Sequence, residues 1–221
     1  MSQHPNGAER SYMVTIAEPA NSDGALLFTF VPSRRKDLEG NRKIDRVPQY
    51  IVRAHQESDE WKLDWSQASD DPGLARQEIE TEIHSRLQER SNWVNRVSKL
   101  VQEVEQWARD LGWSSRRVEK RLEDSRVGNH RLPALLLQED TCRVLLEPVG
   151  RSTPGAEGVV DLYLMPAYDD IASLYYYGNQ WNLHYMFAGT PTVATIRDAE
   201  SVPLSKAVLE RVLSEMRQNV A

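Results

Sequence analysis

The chain has 221 residues, 40% of them hydrophobic and 27% charged, with six Trp, eight Tyr and three Phe. That is enough apolar material to build a packed core, which excludes a disordered chain. The formal charge of −6 excludes general attraction to nucleic acid or acidic membranes and leaves any polyanion contact to a local patch.

Residues 1–11 are polar, contain Pro5 and Gly7, and read as a flexible tail without the apolar stretch of a secretory leader. The longest apolar runs, Ala25–Phe28 and Pro133–Leu137, are far too short to span a bilayer. Cys142 is the single cysteine, so no intrachain disulfide can form, which suits a reducing compartment. The expectation is a cytoplasmic protein with no membrane partner.

Residues 12–221 are expected to form one globular domain, beginning with a β part over 12–65. The run Ala25–Val31 ends at Pro32 and has the length of a buried strand. Gln49–Ala54 and Trp61–Trp65 read as a hairpin, with Trp61, Leu63 and Trp65 alternating with Lys62 and Asp64. Between Pro32 and Gln49 lie Arg34, Arg35, Lys36, Arg42, Lys43 and Arg46 against only three acids. This is a local reversal of sign suited to phosphate contact or to a solvated loop.

A helical part is expected over 71–125. Asp71-Pro72 is a start signal, and Leu74, Ile79, Ile83 and Leu87 form an apolar stripe. Asn92 is read as opening a second helix, with Val94, Val97, Leu100, Val101, Val104, Trp107, Ala108 and Leu111 on its apolar face. Gly112 suits a left-handed stop. Ser114 or Ser115 is read as capping a third, shorter helix that carries Val118 and Leu122.

The C-terminal part, 131–221, returns to a period of two. Strands are expected near 134–139, 142–149, 159–165, 171–177, 181–187 and 192–197, with Gly178-Asn179 as a tight turn. Ser201 and Pro203 are read as opening a final helix with Leu204, Val208, Val212 and Met216. The fold class is therefore α+β: an antiparallel meander over about 134–197, a helical middle over about 72–125, an N-terminal β segment and a C-terminal helix.

Within Gln106–Leu122, the residues Ala108, Leu111, Gly112, Ser114, Val118 and Leu122 stand at the spacing of a helix-turn-helix. Ala108 gives room for a crossing helix, Gly112 makes the turn and Ser114 caps. The segment resembles that DNA-binding motif over these residues only. The resemblance implies that Arg116, Arg117 and Lys120 point outward toward phosphates and base edges. The same residues also describe an ordinary helix corner, and Glu119, Glu123 and Asp124 place acids on the same short segment.

Gly150 and Gly158 bracket a loop so that Glu147 is expected opposite Asp161 on a hairpin. Facing carboxylates repel unless a proton, a cationic side chain or a divalent ion lies between them. A magnesium-type ion on Glu147 and Asp161, joined by Asp169 or Asp170, would suit a nuclease-like hydrolase. Neutralisation by Arg143 or Arg151, a one-residue slip in register, or a place for Glu147 at an exposed edge would instead make the pair structural. Tyr175–Tyr177, Trp181, Tyr185 and Phe187 are read as sheet packing and His184 as a structural histidine.

The leading expectation is a non-enzymatic intracellular binding protein with no cofactor, contacting nucleic acid or another protein through Arg116, Arg117 and Lys120. The alternative is a metal-dependent hydrolase with a divalent ion such as magnesium on Glu147 and Asp161. The third is a scaffold or accessory protein that forms a homodimer through its long helices.

Overall fold

The structure is a computed structural model, and it describes residues 12–19, 24–32, 50–58, 60–67, 73–190 and 195–219. The basic cluster between Arg34 and Arg46, the tail 1–11 and the start signal Asp71-Pro72 lie outside the described residues. The chain is α+β, with two antiparallel sheets and two helices among the described residues. Contacts group it into two units, Met1–Arg90 with Ser125–Asn129, and Ser91–Asp124 with His130–Ala221.

The first unit holds strands β1 (Tyr12–Ala17), β2 (Leu26–Pro32), β3 (Tyr50–Glu57) and β4 (Glu60–Gln67) in sequential antiparallel order. Alternation decides its core. Leu26, Phe28 and Phe30 of β2 and Tyr50, Val52 and Ala54 of β3 are buried with Ile79, Ile83 and Leu87. Trp61, Leu63 and Trp65 of β4 are half-buried against that cluster, as their alternation requires. Arg126 joins Glu82 and Glu89, at 2.8 Å each, and Arg90 donates to the carbonyls of Val127 and Asn129.

Helix α1 runs unbroken from Gly73 to Asp110. Two helices parted at Asn92 are the sequence expectation, and the structure corrects it. No glycine or proline occurs between Leu74 and Leu111. The apolar stripe also continues across the supposed break through Leu87, Trp93, Val97 and Leu100, all buried. A capping side chain helps a helix start only where packing leaves the preceding turn unwound. No helix among the described residues is long and apolar enough to cross a membrane.

Past α1, Gly112 takes φ +88° and Trp113 N–H bonds the carbonyl of Ala108 at 2.9 Å, which closes the helix. The next element is a strand. β5 (Ser114–Leu122) pairs along its whole length with β6 (His130–Glu139), from Ser114↔Gln138 to Leu122↔His130. The third helix is therefore absent, and with it the second helix of the helix-turn-helix. Val118 and Leu122 are four apart, a spacing that keeps one face on a helix and also on a strand. Ladder pairing with β6 then outweighs the helix preference of the Arg, Lys and Glu between them.

The remaining strands are β7 (Cys142–Gly150), β8 (Val159–Met165), β9 (Asp169–Tyr177), β10 (Gln180–His184) and β11 (Ser201–Pro203). With β5 and β6 they form one antiparallel meander in chain order. Gly178 and Asn179 both take φ +60°, the turn that joins β9 to β10. Two expectations fail nearby. Ile196–Asp198 is a 3-10 turn rather than a strand, and residues 191–194 lie outside the described residues. Ser201 and Pro203 belong to β11, which pairs with β10, while Ser205 caps α2 (Lys206–Gln218) by accepting from Val208 N–H. Leu135, Leu146, Leu162, Ala172, Leu174 and Leu183 of the sheet pack with Val97, Leu100, Val101, Val104 and Ala108 of α1 and Leu209, Val212, Leu213 and Met216 of α2.

Candidate functional site

The three basic residues of the helix-turn-helix reading sit on β5. Strand alternation turns Arg116 and Lys120 to one side and Arg117 to the other, so they do not form one cationic face. Arg117 is held by Glu105 of α1, with Nη2 to Oε2 at 2.6 Å and Nε at 3.0 Å, and Arg109 joins the same carboxylate at 2.9 Å. Burial would raise the pKa of Glu105, but Arg117 and Arg109 together hold it below the usual carboxylate value. Lys120 Nζ is 2.8 Å from Glu147 Oε1. Arg116 is exposed. β5 is also the terminal strand of its sheet, and charges there discourage pairing with other chains.

The register places Glu147 opposite Asp161. It also continues the row: Asp161 faces Ser173, Ser173 faces His184, and His184 faces Ser201. Five polar residues on five neighbouring strands thus share one line across the sheet. Asp161 Oδ2 accepts from Tyr163 Oη at 2.9 Å, while Oδ1 is sealed from solvent without a well-aligned hydrogen bond. Burial pushes the Asp161 pKa up and the Glu147 charge adds to the rise, against hydrogen bonds from Ser173 and Tyr163. Burial and the Asp161 carboxylate raise the pKa of the Tyr163 hydroxyl, which favours its role as donor.

The row has the residue types of acid–base chemistry without its geometry. His184 Nδ1 lies 3.1 and 3.2 Å from the carbonyls of Arg197 and Ala199, and Nε2 lies 3.5 Å from Tyr177 Oη. The imidazole is therefore directed at these partners rather than at the 3%-exposed Ser173. Glu147 is paired with Lys120, and Arg151 meets Asp124 at 3.0 Å. Among the described residues no group of three or more His, Cys, Asp and Glu side chains gathers around a point where an ion could be held.

The sequence reading passed over a groove on the flank of α1. It is a cavity of about 560 Å³ lined on one wall by Asn92, Asn95, Arg96, Lys99, Glu103 and Trp107. Tyr176, Asn179, Gln180 and Trp181 of the β9–β10 hairpin, with Leu204, form the other wall. The helical residues recur every three or four positions, so they lie in one line beside the core stripe. The floor is firm. Leu100 and Trp181 are buried, and Trp181 packs on Tyr176 and on the buried Trp93 at centroid distances of 5.2 and 6.4 Å. Gly158 admits Trp93, since a Cβ there would lie 2.5 Å from the indole ring. Arg96 is fixed too, 3.8 Å above the Tyr176 ring and hydrogen-bonded to Glu157.

The rim differs from the floor. Asn95, Lys99, Glu103 and Asn179 line it, and among the described residues none has a side-chain hydrogen bond or ion pair. A second hollow of about 600 Å³ shares Lys99, Glu103 and Trp107 and continues to Gln106, Arg109 and Arg117, so Trp107 stands between two polar basins. The sequence signal for this groove is the polar line beside the stripe, and the assignment of Trp107 to the core hid it. Comparison of the chain with protein-family models, with curated proteins and with solved structures finds no match.

Proposed function

We propose that the protein is a non-enzymatic binding protein whose ligand lies in the groove between α1 and the β9–β10 hairpin. One observation carries this reading: Asn95, Lys99, Glu103 and Asn179, with no side-chain hydrogen bond or ion pair among the described residues, stand around a packed aromatic floor. Binding sites combine pre-formed shape with a few polar groups whose partners come from the ligand. Glu147, Asp161 Oδ2 and His184 have partners within the protein, which speaks for a structural part there.

The test is 19F NMR of protein carrying 5-fluorotryptophan, with resonances assigned from Trp107→Phe and Trp181→Phe. Pools of random peptides, oligonucleotides and glycans are added in turn. A shift of the Trp107 or Trp181 signal with any pool supports the groove as a binding site. Signals that stay in place with all three overturn it. The oligonucleotide arm also tests the nucleic-acid reading of Arg116, Arg117 and Lys120, which predicts loss of binding in Arg116→Ala with both indole signals unmoved.

A further inference from the structure

We infer that the groove takes an extended peptide segment of a partner protein that carries an acidic and a basic side chain two residues apart. This rests on the groove being the binding site.

The first argument is length. From Asn92 to Trp107 the wall covers fifteen helical steps, about 22 Å at the α-helical rise. An extended chain advances about 3.3 Å per residue, so six or seven residues fill that length. The groove is partly open to solvent, which suits a segment whose ends continue outside it.

The second argument is the polar chemistry. Asn95 and Asn179 stand on opposite walls as unengaged amides, each able to donate and accept. A peptide backbone offers N–H and C=O groups alternately along its length and matches such amides. Trp107 adds an aromatic wall for an apolar side chain.

The third argument is charge. Lys99 and Glu103 are four apart on α1 yet form no ion pair with each other. Lysine preceding glutamate is the weaker orientation of such a pair. The two heads therefore remain separate, offset along the axis by about 6 Å. Same-face side chains on an extended peptide repeat about every 6.6–6.8 Å. A carboxylate at Lys99 and a cation at Glu103 are thus two residues apart on the ligand. A phosphate backbone suits the site less well, because Glu103 lies along the path.

The test is fluorescence anisotropy with labelled heptapeptides: one with acid-x-base at its centre, one with base-x-acid, and one with both positions neutral. One of the two charged orders, the one that sets its carboxylate at Lys99 and its cation at Glu103, binds most tightly, and which order it is reports the direction in which the segment runs. Lys99→Gln weakens that peptide by up to about fivefold, the upper end for an exposed ion pair, and leaves the neutral peptide unchanged. The double exchange Lys99→Glu with Glu103→Lys reverses the preference between the two charged orders. Both variants lie on the outer helix surface, and circular dichroism checks that they fold. Equal binding of all three peptides, with Lys99→Gln indifferent, overturns the inference while the 19F shifts keep the groove as the site. Binding of oligonucleotides or glycans but of no peptide does the same. Unmoved Trp107 and Trp181 signals with every ligand class overturn both readings.

Discussion

The row through Glu147 and the helix face through Lys99 carry similar side chains: acids, a lysine and small polar partners. They end in opposite conditions. On the sheet, the ladder sets Glu147, Asp161 and Ser173 on adjacent strands, each side chain opposite its neighbour, and Lys120 reaches across to complete them. On the helix flank, Asn95, Lys99 and Glu103 have no side-chain hydrogen bond or ion pair among the described residues. Residue type therefore says little about where a ligand goes, and the state of engagement says more. A carboxylate pair that looks catalytic in one dimension is part of the sheet, and a helix flank that looks like plain surface has vacant hydrogen-bonding groups.

Five tests, built on seven substitutions, probe that contrast, the most disruptive first. Gly158→Ala pushes a Cβ into the Trp93 ring beneath the groove and is expected to cost about 1–3 kcal/mol by overpacking. Urea denaturation reads it, and an unchanged midpoint would mean that Trp93 moves freely and the floor is soft. Glu105→Gln removes the shared partner of Arg117 and Arg109 and is expected to cost about 1–2 kcal/mol at neutral pH. The folded pKa of Glu105 is lowered. Its contribution is therefore present above the ordinary carboxylate value and lost as the pH falls through the folded one. The deficit of the variant should shrink in acid.

Asp161→Asn has the opposite sign. The folded pKa is raised by burial, so the ionised side chain costs stability once the pH climbs through that raised value. The variant should gain up to about 1 kcal/mol over the parent at neutral pH and nothing in acid. A loss at neutral pH would show that ionised Asp161 is stabilised in place. A double-mutant cycle on Lys120→Met and Glu147→Gln should give a coupling below about 1 kcal/mol, since Lys120 is a third exposed, and it should decline with salt. Lys99→Gln and Asn95→Ala should leave stability within about 0.5 kcal/mol of the parent. A larger loss would place those residues in the structure of the groove rather than on its open rim.

Much of the architecture was legible. The strands of the C-terminal meander follow from alternation, the turn at Gly178-Asn179 from residue type, and the facing of Glu147 and Asp161 from the glycines that bracket their loop. The failures share a cause. At Val118 and Leu122 a spacing of four fits both periods, so the local pattern could not separate helix from strand. At Asn92 a capping residue stood inside a helix that packing carries through. At Ser201–Pro203 a start signal was read four residues early, because β11 exists only through its pairing with β10. The groove was missed for another reason: its walls come from residues near 99 and near 179, and nothing local relates them.

By itself the sequence determined the α+β class, the antiparallel order of the C-terminal strands and the stripe that α1 turns to the core. These depend on side chains a few positions apart, and the periods of 2 and 3.6 record them directly. The tertiary structure alone decided that 114–122 is a strand, that Arg117 and Lys120 meet Glu105 and Glu147, and that Lys99 and Glu103 meet no partner among the described residues. Each of those outcomes depends on groups brought together from distant parts of the chain, where pairing and burial outweigh a local preference of a few tenths of a kcal/mol per residue.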